Sequence, residues 1–223
     1  MRIEKLHPWN VTTTEAAKIQ MGLKERISQV DDFDKIEQVG SVDVNYKKGM
    51  AKATAAAVVL SFPGLEVLET RVVEGEISFP YVPGLFSFRE IPLLIPALEK
   101  LKTTPSVMLV DGQGIAHPQR MGLAAHLGIL MDIPTIGCAK SPLLGTHEEP
   151  SIEKGAYTYL YDQTEVIGAV VRTRTNISPV YISIGHKISL HTAVEVTLKC
   201  TPKFRIPEPL RTAHQMSRSV YSR

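Results

Sequence analysis

The chain has 223 residues, 43% of them hydrophobic, and a formal net charge of +2. This length fits one large domain, and because no linker-like stretch divides it we expect a single domain over residues 1–223. A net charge this small does not by itself indicate a protein that binds nucleic acid. Apolar runs stay well short of the ~20 residues that cross a membrane, so we expect no membrane association.

The N-terminus and the cysteines bear on cellular location. The first nine residues, Met-Arg-Ile-Glu-Lys-Leu-His-Pro-Trp, contain no apolar core of the kind that signal peptides have. Cys138 and Cys200 are too few for a disulfide framework and form no Cys-x-x-Cys pair. Both features predict a cytoplasmic protein with reduced cysteines.

The first predicted element is an amphipathic helix. Thr12 and Glu15 have the spacing of a capping box, in which each side chain bonds the backbone of the other. Apolar residues then recur at helical intervals: Ala16, Ile19, Leu23 and Ile27. This spacing predicts a helix that ends near Val30.

Three strands with short connections are predicted next. The first carries an acid, Asp43, between two valines in its middle. Residues 52–62 and 65–73 are the second and third strands, separated by the turn dipeptide Pro63-Gly64. Such short connections favour an antiparallel meander.

A proline-containing stretch follows the meander. The two prolines within residues 80–83 fix φ and predict a stiff loop. A helical segment is expected to begin near Gly84. Pro92 is expected to break it just after Glu90, with a second helix over residues 91–101.

Val107–Asp111 reads as a short buried strand that ends in an acid and a Gly-x-Gly pair. In open α/β sheets ligands bind at the carboxyl ends of strands, although a plain turn explains Asp111-Gly112 equally well.

Residues 118–131 and 135–139 are the next helix and strand, which implies a parallel βαβ crossover. The remaining predicted elements are a hairpin of residues 157–161 and 166–171, a strand at 180–184, and helices at 189–200 and 207–221.

Together these elements predict an α/β fold. A mixed sheet is expected, in which an antiparallel three-strand meander is followed by parallel strands, with helices flanking the sheet. This is the layout of ribonuclease-H-like nucleases, whose first strand carries an acid at its centre.

Three acids stand where burial of a charge would otherwise be unfavourable: Asp43 in a strand, Glu90 at a helix break and Asp111 at a strand end. If they converge, they offer only hard oxygen ligands, which suit Mg²⁺ or Mn²⁺ better than zinc. Such a site could hydrolyse a phosphodiester. For each acid alone, a turn, cap or salt-bridge role fits better.

Two further residues are candidates for the same site. Lys140 follows the strand at 135–139 and should emerge at the edge that carries Asp111, where it could bind a phosphate. His214 is expected on the inward stripe of the last helix, where it could orient a water. A surface lysine and a core histidine remain the simpler interpretations. Gly112-x-Gly114 lacks the third glycine of a dinucleotide fingerprint, because His117 occupies that position.

Four recognisable motifs follow one another between residue 79 and residue 214. They are Phe79-Pro-Tyr-Val-Pro-Gly-Leu with Phe88-Arg-Glu90, Asp111-Gly-Gln-Gly-Ile-Ala-His-Pro118, Gly137-Cys-Ala-Lys140, and Arg205-Ile-Pro-Glu-Pro-Leu-Arg-Thr-Ala-His214. Together with Asp43 they resemble the endonuclease V family of inosine-directed nucleases.

The resemblance implies a role for each matching residue. Asp43, Glu90 and Asp111 match the metal-binding carboxylates, and Lys140 and His214 match the catalytic lysine and histidine. The family's wedge, which enters the duplex where the damaged base leaves the stack, corresponds to Pro80, Tyr81, Val82 and Pro83. The base pocket corresponds to Gly84, Leu85, Gly112, His117 and Gly122.

The implied reaction is hydrolysis of the second phosphodiester bond 3′ to deoxyinosine in DNA repair, leaving 3′-hydroxyl and 5′-phosphate ends. It requires Mg²⁺, for which Mn²⁺ can substitute, and we expect a monomer. Two alternatives stay open: inosine-containing RNA as the preferred substrate, and a non-catalytic protein that binds deaminated nucleic acid. Gln119 stands where arginine is common in the family, and the adjacent Arg120 is expected to compensate.

Overall fold

The structure is a computed structural model that describes residues 1–46 and 51–219. The helices are α1 Thr13–Leu23, α2 Phe86–Glu99, α3 Leu123–Met131, α4 Leu190–Lys199 and α5 Glu208–Ser219. The strands are β1 Gln38–Tyr46, β2 Lys52–Ser61, β3 Val67–Glu76, β4 Val107–Asp111, β5 Thr135–Ala139, β6 Tyr157–Asp162, β7 Glu165–Val171 and β8 Val180–His186. The predicted end of the last helix, at residues 220–221, lies outside the described residues.

In this described part of the chain, eight strands form one sheet in the order β3-β2-β1-β4-β5-β8-β7-β6. β1, β2 and β3 pair antiparallel, whereas β1, β4 and β5 pair parallel. The predicted mixed α/β sheet, with its meander and parallel crossover, is confirmed. β8, β7 and β6 extend the sheet with antiparallel pairs.

Helices cover both faces of the sheet. Apolar residues of α4 and α5 pack on one face, in a cluster with Val39, Leu109 and Ile182. Apolar residues of α2 and α3 pack on the other face with Val42. Because side chains alternate along a strand, Asp43 is turned toward α5 while Val42 faces α2. No helix in the described ranges is long and apolar enough to cross a membrane.

The first helix is shorter than expected. Its capping box forms as predicted, but α1 ends at Leu23 and is followed only by a 3-10 turn, so the expected end near Val30 is wrong. The chain leaves the helix because its backbone is used elsewhere: the Ser28 amide donates to His186 Nδ1, and the Ser28 carbonyl accepts from the Lys187 amide. These contacts with the end of β8 replace further helical bonds.

The expected helix break at Pro92 is also wrong. α2 runs without interruption and contains Pro92 and Pro96, so Glu90 lies inside a helix. Each internal proline removes one backbone hydrogen bond. Packing outweighs that loss, because eight residues of the helix are buried, among them Ile91, Leu94 and Leu98 in the cluster under β1 and β2.

α3 begins five residues later than expected, at Leu123. The preceding residues form turns, in which the Arg120 amide donates to the His117 carbonyl and Arg120 takes a φ of 55°. A non-glycine residue in this left-handed region interrupts a helix. The stretch before α3 is therefore free to line a cavity.

A pair of histidines, the half-buried His7 and the buried His126, joins the N-terminal segment to α2 and α3. His7 Nδ1 lies 2.8 Å from the Pro8 carbonyl, and His7 Nε2 lies 2.8 Å from His126 Nε2. His126 Nδ1 lies 3.1 Å from Ser87 Oγ. The carbonyl can only accept, so His7 carries its proton on Nδ1, His126 on Nε2, and Ser87 donates to His126. Burial lowers the pKa of His126 to about 3.

This pair predicts a loss of stability in mild acid. Between pH 6.5 and pH 3 a histidine in the unfolded chain is protonated, whereas His126 in the folded protein stays neutral. The free energy of unfolding should therefore fall as the pH drops from 6.5 toward 3. We expect His126→Leu to weaken this dependence between pH 7.5 and 5, measured by urea denaturation. Glu90, whose pKa is raised, acts in the opposite direction in both proteins, so the difference between the profiles reports on His126 and its partner His7.

Ile129→Val, a change between two apolar side chains at a buried position of α3, provides the control. It should change the free energy of unfolding by a similar amount at every pH, because neither side chain titrates. Identical profiles for His126→Leu and the unchanged protein would mean that His126 binds a proton equally well in the folded and the unfolded state.

Candidate active site

The register of the parallel strands brings two predicted acids together. Val42 of β1 pairs with Val110 of β4, so the next residues, Asp43 and Asp111, lie side by side at the carboxyl edge of the sheet. Asp111 is also paired with Cys138 of β5. Lys140 follows two residues later and reaches the same edge. The crossover predicted from the sequence therefore accounts for this part of the site.

Asp43, Glu90 and Asp111 line one cavity of 280 Å³. Asp43 comes from a strand, Glu90 from the middle of α2 and Asp111 from a strand end, and Tyr46 completes the wall. Within residues 1–46 and 51–219, no three acidic, histidine or cysteine side chains are drawn together closely enough to hold a metal ion as they stand. The three carboxylates thus share a cavity without forming a closed ligand cluster.

Glu90 is the most strongly perturbed acid of the three. Burial, together with the nearby charges of Asp43 and Asp111, raises its pKa to about 8, against the opposing effect of a hydrogen bond from the Tyr46 hydroxyl at 2.9 Å. Glu90 is 7% exposed and faces two other acids, so its ionised form is unfavourable unless a cation lies nearby. A divalent cation at this position would stabilise the ionised form of Glu90 and so fits the site.

Asp43 is held by the last helix. The Ser217 hydroxyl donates to Asp43 Oδ2 over 2.5 Å, and His214 Nδ1 lies 3.4 Å from the same oxygen. His214 was expected on the inward stripe of the last helix, and this expectation is wrong, because its side chain is 55% exposed. The buried positions of α5 are Pro209, Leu210, Ala213 and Ser217. His214 sits at the border of that stripe, which lets it reach both Asp43 and solvent.

A second cavity, of 410 Å³, opens beside the first. It is lined by four residues of the proline-containing loop, Tyr81 to Gly84, and by Gly112, His117, Met121, Gly122 and Lys140. Asp111, Phe86 and Leu123 line both cavities. The volume is within the range of small-molecule sites. A group bound in the second cavity would therefore lie next to the carboxylates of the first.

The proline-containing loop projects from the rim of this second cavity. Tyr81 is 69% exposed, and its ring meets Phe86 edge-on at 6.1 Å. Pro80 and Pro83 are exposed as well, whereas Val82 is half-buried. Leu85 differs from the expected pocket residue, because it is buried in the cluster below the loop and does not line the cavity.

His117 lies in the wall of the second cavity as a neutral ring. Burial lowers its pKa to about 4, and a hydrogen bond with the Gly84 backbone opposes this. The Gln119 amide donates to Nδ1 over 3.2 Å, so Nε2 carries the proton. Gly84 takes a φ of 81° beside this ring, which only glycine adopts easily.

A model of the endonuclease V family matches residues 21–215. An endonuclease V from Trichormus variabilis is 49% identical over 218 residues, which cover 97% of this chain and 99% of that protein. The chain belongs to the endonuclease V family.

Solved structures of the family support the same assignment. The crystal structure of endonuclease V from Streptomyces avermitilis has a TM-score of 0.91 and 40% identity, and the match covers 99% of this chain and 96% of that one. An endonuclease V from Ciona intestinalis, in complex with DNA that contains an inosine followed by a ribo-adenosine, has a TM-score of 0.83 and 32% identity. That match covers 93% of this chain and 97% of that one. Nucleases of this family depend on a metal ion.

Arg120, which was expected to compensate for the positive charge that Gln119 lacks relative to the family pattern, is bound to two acids. Its guanidinium forms ion pairs with Asp162 and Glu165, each at 2.6 Å, and donates to the His117 carbonyl over 3.0 Å. These bonds fasten the cavity wall to the β6–β7 turn. The expectation that Arg120 compensates for Gln119 stays a prediction.

Sequence reasoning missed residues that hold the candidate groups. Ser217 contacts Asp43, and Tyr46 contacts Glu90. The side chain of Gln20 donates to the carbonyl of Gly84, a residue that lines the second cavity. A sequence signal existed for Ser217, because residues three apart on a helix share a face and His214 was already a candidate. Lys140 was assigned to the edge, and its Nζ lies 2.5 Å from Asp111 Oδ2.

Proposed function

We propose that this protein is a Mg²⁺-dependent endonuclease of DNA repair that recognises inosine in DNA. It hydrolyses the second phosphodiester bond on the 3′ side of inosine and leaves 3′-hydroxyl and 5′-phosphate ends. It acts as a cytoplasmic monomer with a single domain. The observation that carries the proposal is the sharing of Asp111 by the two cavities, because it sets a base-sized space directly beside three carboxylates.

Asp43, Glu90 and Asp111 are the residues that would hold the ion, since an all-oxygen donor set suits Mg²⁺ or Mn²⁺. When bound, the ion supplies Lewis-acid charge to a phosphate oxygen and promotes ionisation of water. The buried Glu90 carboxyl, which is hard to ionise among other acids, gains a counter-charge on binding. This accounts for an otherwise unfavourable burial of negative charge.

Lys140 and His214 have separate roles beside the carboxylates. Lys140, whose side chain is 56% exposed, can turn its ammonium from Asp111 to a phosphate oxygen. Asp43 faces His214 Nδ1, so the exposed Nε2 is left to exchange a proton with water or with the leaving oxygen. Both residues therefore act on the phosphate group rather than on the base.

Recognition of the base is the role of the second cavity. The exposed Tyr81 on a loop stiffened by two prolines can fill the space in the duplex that the base leaves. The extruded hypoxanthine enters the cavity, where backbone groups near Gly84 and Gly122 and the neutral His117 can pair with its polar edge. Adenine differs from hypoxanthine at that edge, which gives the site a basis for selection.

The test is a nicking assay on an end-labelled duplex with one deoxyinosine, with Mg²⁺ and with EDTA. We expect a metal-dependent nick one nucleotide beyond the inosine. An uncut duplex would falsify the proposal for DNA. The Ciona relative was bound to DNA with a ribo-adenosine after the inosine, so a matched RNA strand belongs in the same assay. Cleavage of RNA alone would favour the ribonuclease alternative, and a gel shift without cleavage would favour a binding protein.

Tyr81→Ala should weaken discrimination between inosine and adenine by ~1–3 kcal/mol, the scale of one base–aromatic stack. The ratio of kcat/KM for the two duplexes measures this directly. Tyr157→Ala is the matched control, because Tyr157 is 38% exposed on the edge strand β6 and lines neither cavity. Unchanged selectivity in Tyr81→Ala would leave the loop with a purely structural role.

A further inference from the structure

Gln20 of α1 is a buried polar residue that lies far from the carboxylates along the chain. It is 1% exposed, and its Nε2 donates to the Gly84 carbonyl over 2.9 Å and to the Met121 carbonyl over 3.1 Å. Gly84 ends the proline-containing loop, and Met121 belongs to the stretch before α3. One side-chain amide therefore joins the two segments that face each other across the base cavity.

The orientation of this amide is fixed by its partners. Both partners are carbonyl oxygens, which accept hydrogen bonds and cannot donate them, so only the NH₂ group of Gln20 satisfies them. The Gly84 backbone also lies against His117, where it opposes the lowering of that ring's pKa by burial. The loop, the cavity wall and the one histidine that lines the cavity in the described chain thus meet at Gly84.

The same side chain leaves one of its own polar atoms unpaired. Gln20 Oε1 is buried and has no hydrogen-bond partner in the described structure. An apolar side chain would remove that unpaired acceptor, but it would also leave the Gly84 and Met121 carbonyls without the donor that Gln20 supplies. What Gln20 contributes is therefore the link between these two carbonyls.

The rest of α1 supports the same loop from below. Ala16 is fully buried against Phe79, Leu85 and Phe88, which carry the base of the proline-containing loop. Ala16 and Gln20 are four residues apart and share one helix face. α1 therefore contacts the start of the loop through packing and the end of the loop through a hydrogen bond.

We propose that Gln20 is a positioning residue for base selection, which sets the width of the base cavity by tying the proline-containing loop to the wall before α3. This inference rests on the proposed function of the cavity. Gln20 touches neither the base nor the phosphate, so its loss should affect substrate binding and selectivity more than the rate of bond cleavage.

Gln20→Met tests this, because methionine has a similar length and removes both donors. We expect KM for the inosine duplex to rise between about tenfold and a hundredfold, the scale of a small displacement in a binding site. The kcat should change by less than about threefold, and selectivity against adenine should fall. Gln20→Glu, which presents acceptors to the two carbonyls, should have a larger effect than Gln20→Met.

Two variants separate positioning from general destabilisation. Val194→Ala weakens the core beneath α4 on the opposite face of the sheet, and Met21→Ala changes the exposed side of α1. Neither should raise KM. If Val194→Ala lowers the Tm as much as Gln20→Met and also raises KM, the effect of Gln20 is only structural and the proposal is overturned.

Hydrogen–deuterium exchange provides a readout that needs no substrate. In Gln20→Met, amides of residues 79–86 and 117–123 should exchange faster than in the unchanged protein, with exchange in β4 and β5 unaltered. If the unchanged protein fails to cut inosine, the proposed function fails while this exchange result still tests the link. Unaltered exchange together with an unaltered KM would remove Gln20 from the base cavity.

Discussion

Asp43→Asn and Asp111→Asn should each abolish phosphodiester cleavage while leaving the binding of inosine-containing DNA largely intact. Both carboxylates line the cavity that also contains the buried Glu90, and replacing either one removes a charge that a divalent ion needs. Lewis-acid stabilisation of several kcal/mol would be lost, and ~4 kcal/mol corresponds to about a thousandfold in rate. Asparagine keeps the size of the side chain, so packing around the site should persist.

Single-turnover nicking assays and gel shifts on the same duplex measure the two effects separately. Asp34→Asn, at an exposed position before β1, is the matched control and should cut at the normal rate. Near-normal turnover in Asp43→Asn or Asp111→Asn would exclude that residue from the metal site. A variant that loses DNA binding as well would indicate that the carboxylate shapes the base cavity.

Gly122→Ala should impair both stability and cleavage. A Cβ atom on Gly122 would lie 2.2 Å from the Gln113 carbonyl oxygen and 2.7 Å from that of Gly114. Backbone atoms cannot give way as a flexible side chain does, so the loop after Asp111 must shift. Overpacking of this kind is unfavourable by roughly 1–3 kcal/mol or more, and a displaced Asp111 should slow cleavage by about a hundredfold.

The same substitution elsewhere should have the opposite effect on stability. A Cβ on Gly22 of α1 would meet no atom within 4 Å, so Gly22→Ala should stabilise the helix by roughly 0.5–1 kcal/mol. Urea denaturation and the nicking assay on both variants make the comparison. A fully active and stable Gly122→Ala would mean that the loop before α3 is more adaptable than its packing indicates.

The packing around Gly122 gives a second reason for a glycine at this position. One reason for a glycine in a base pocket is that the absence of a side chain lets a base approach the backbone closely. Gly122 does line the base cavity, but the space that a side chain would need is filled by the protein's own backbone. Close packing between the Asp111 loop and the start of α3 is therefore sufficient to require glycine.

Local sequence determined much of the sheet. Val107–Asp111 and Thr135–Ala139 form strands with the predicted bounds, because short β-branched and apolar runs ended by glycine or by a charged residue have few alternatives. Their parallel pairing follows from the helix between them. Once both strands lie in one sheet, Asp111 and Lys140 must share an edge, so this half of the site was within reach of sequence reasoning.

Other features depended on contacts that only the tertiary structure supplies. Pro92 alone indicates a helix break, yet burial of Ile91 and Leu94 keeps α2 continuous. His214 was expected to face the core, but the packing of α5 on β1 buries Ser217 and leaves the histidine at the border. Gln20 gave no signal, because its two partners belong to segments more than 60 residues further along the chain. Periodicity specifies which face of an element is apolar, whereas the bonds of single polar side chains are decided when distant segments meet.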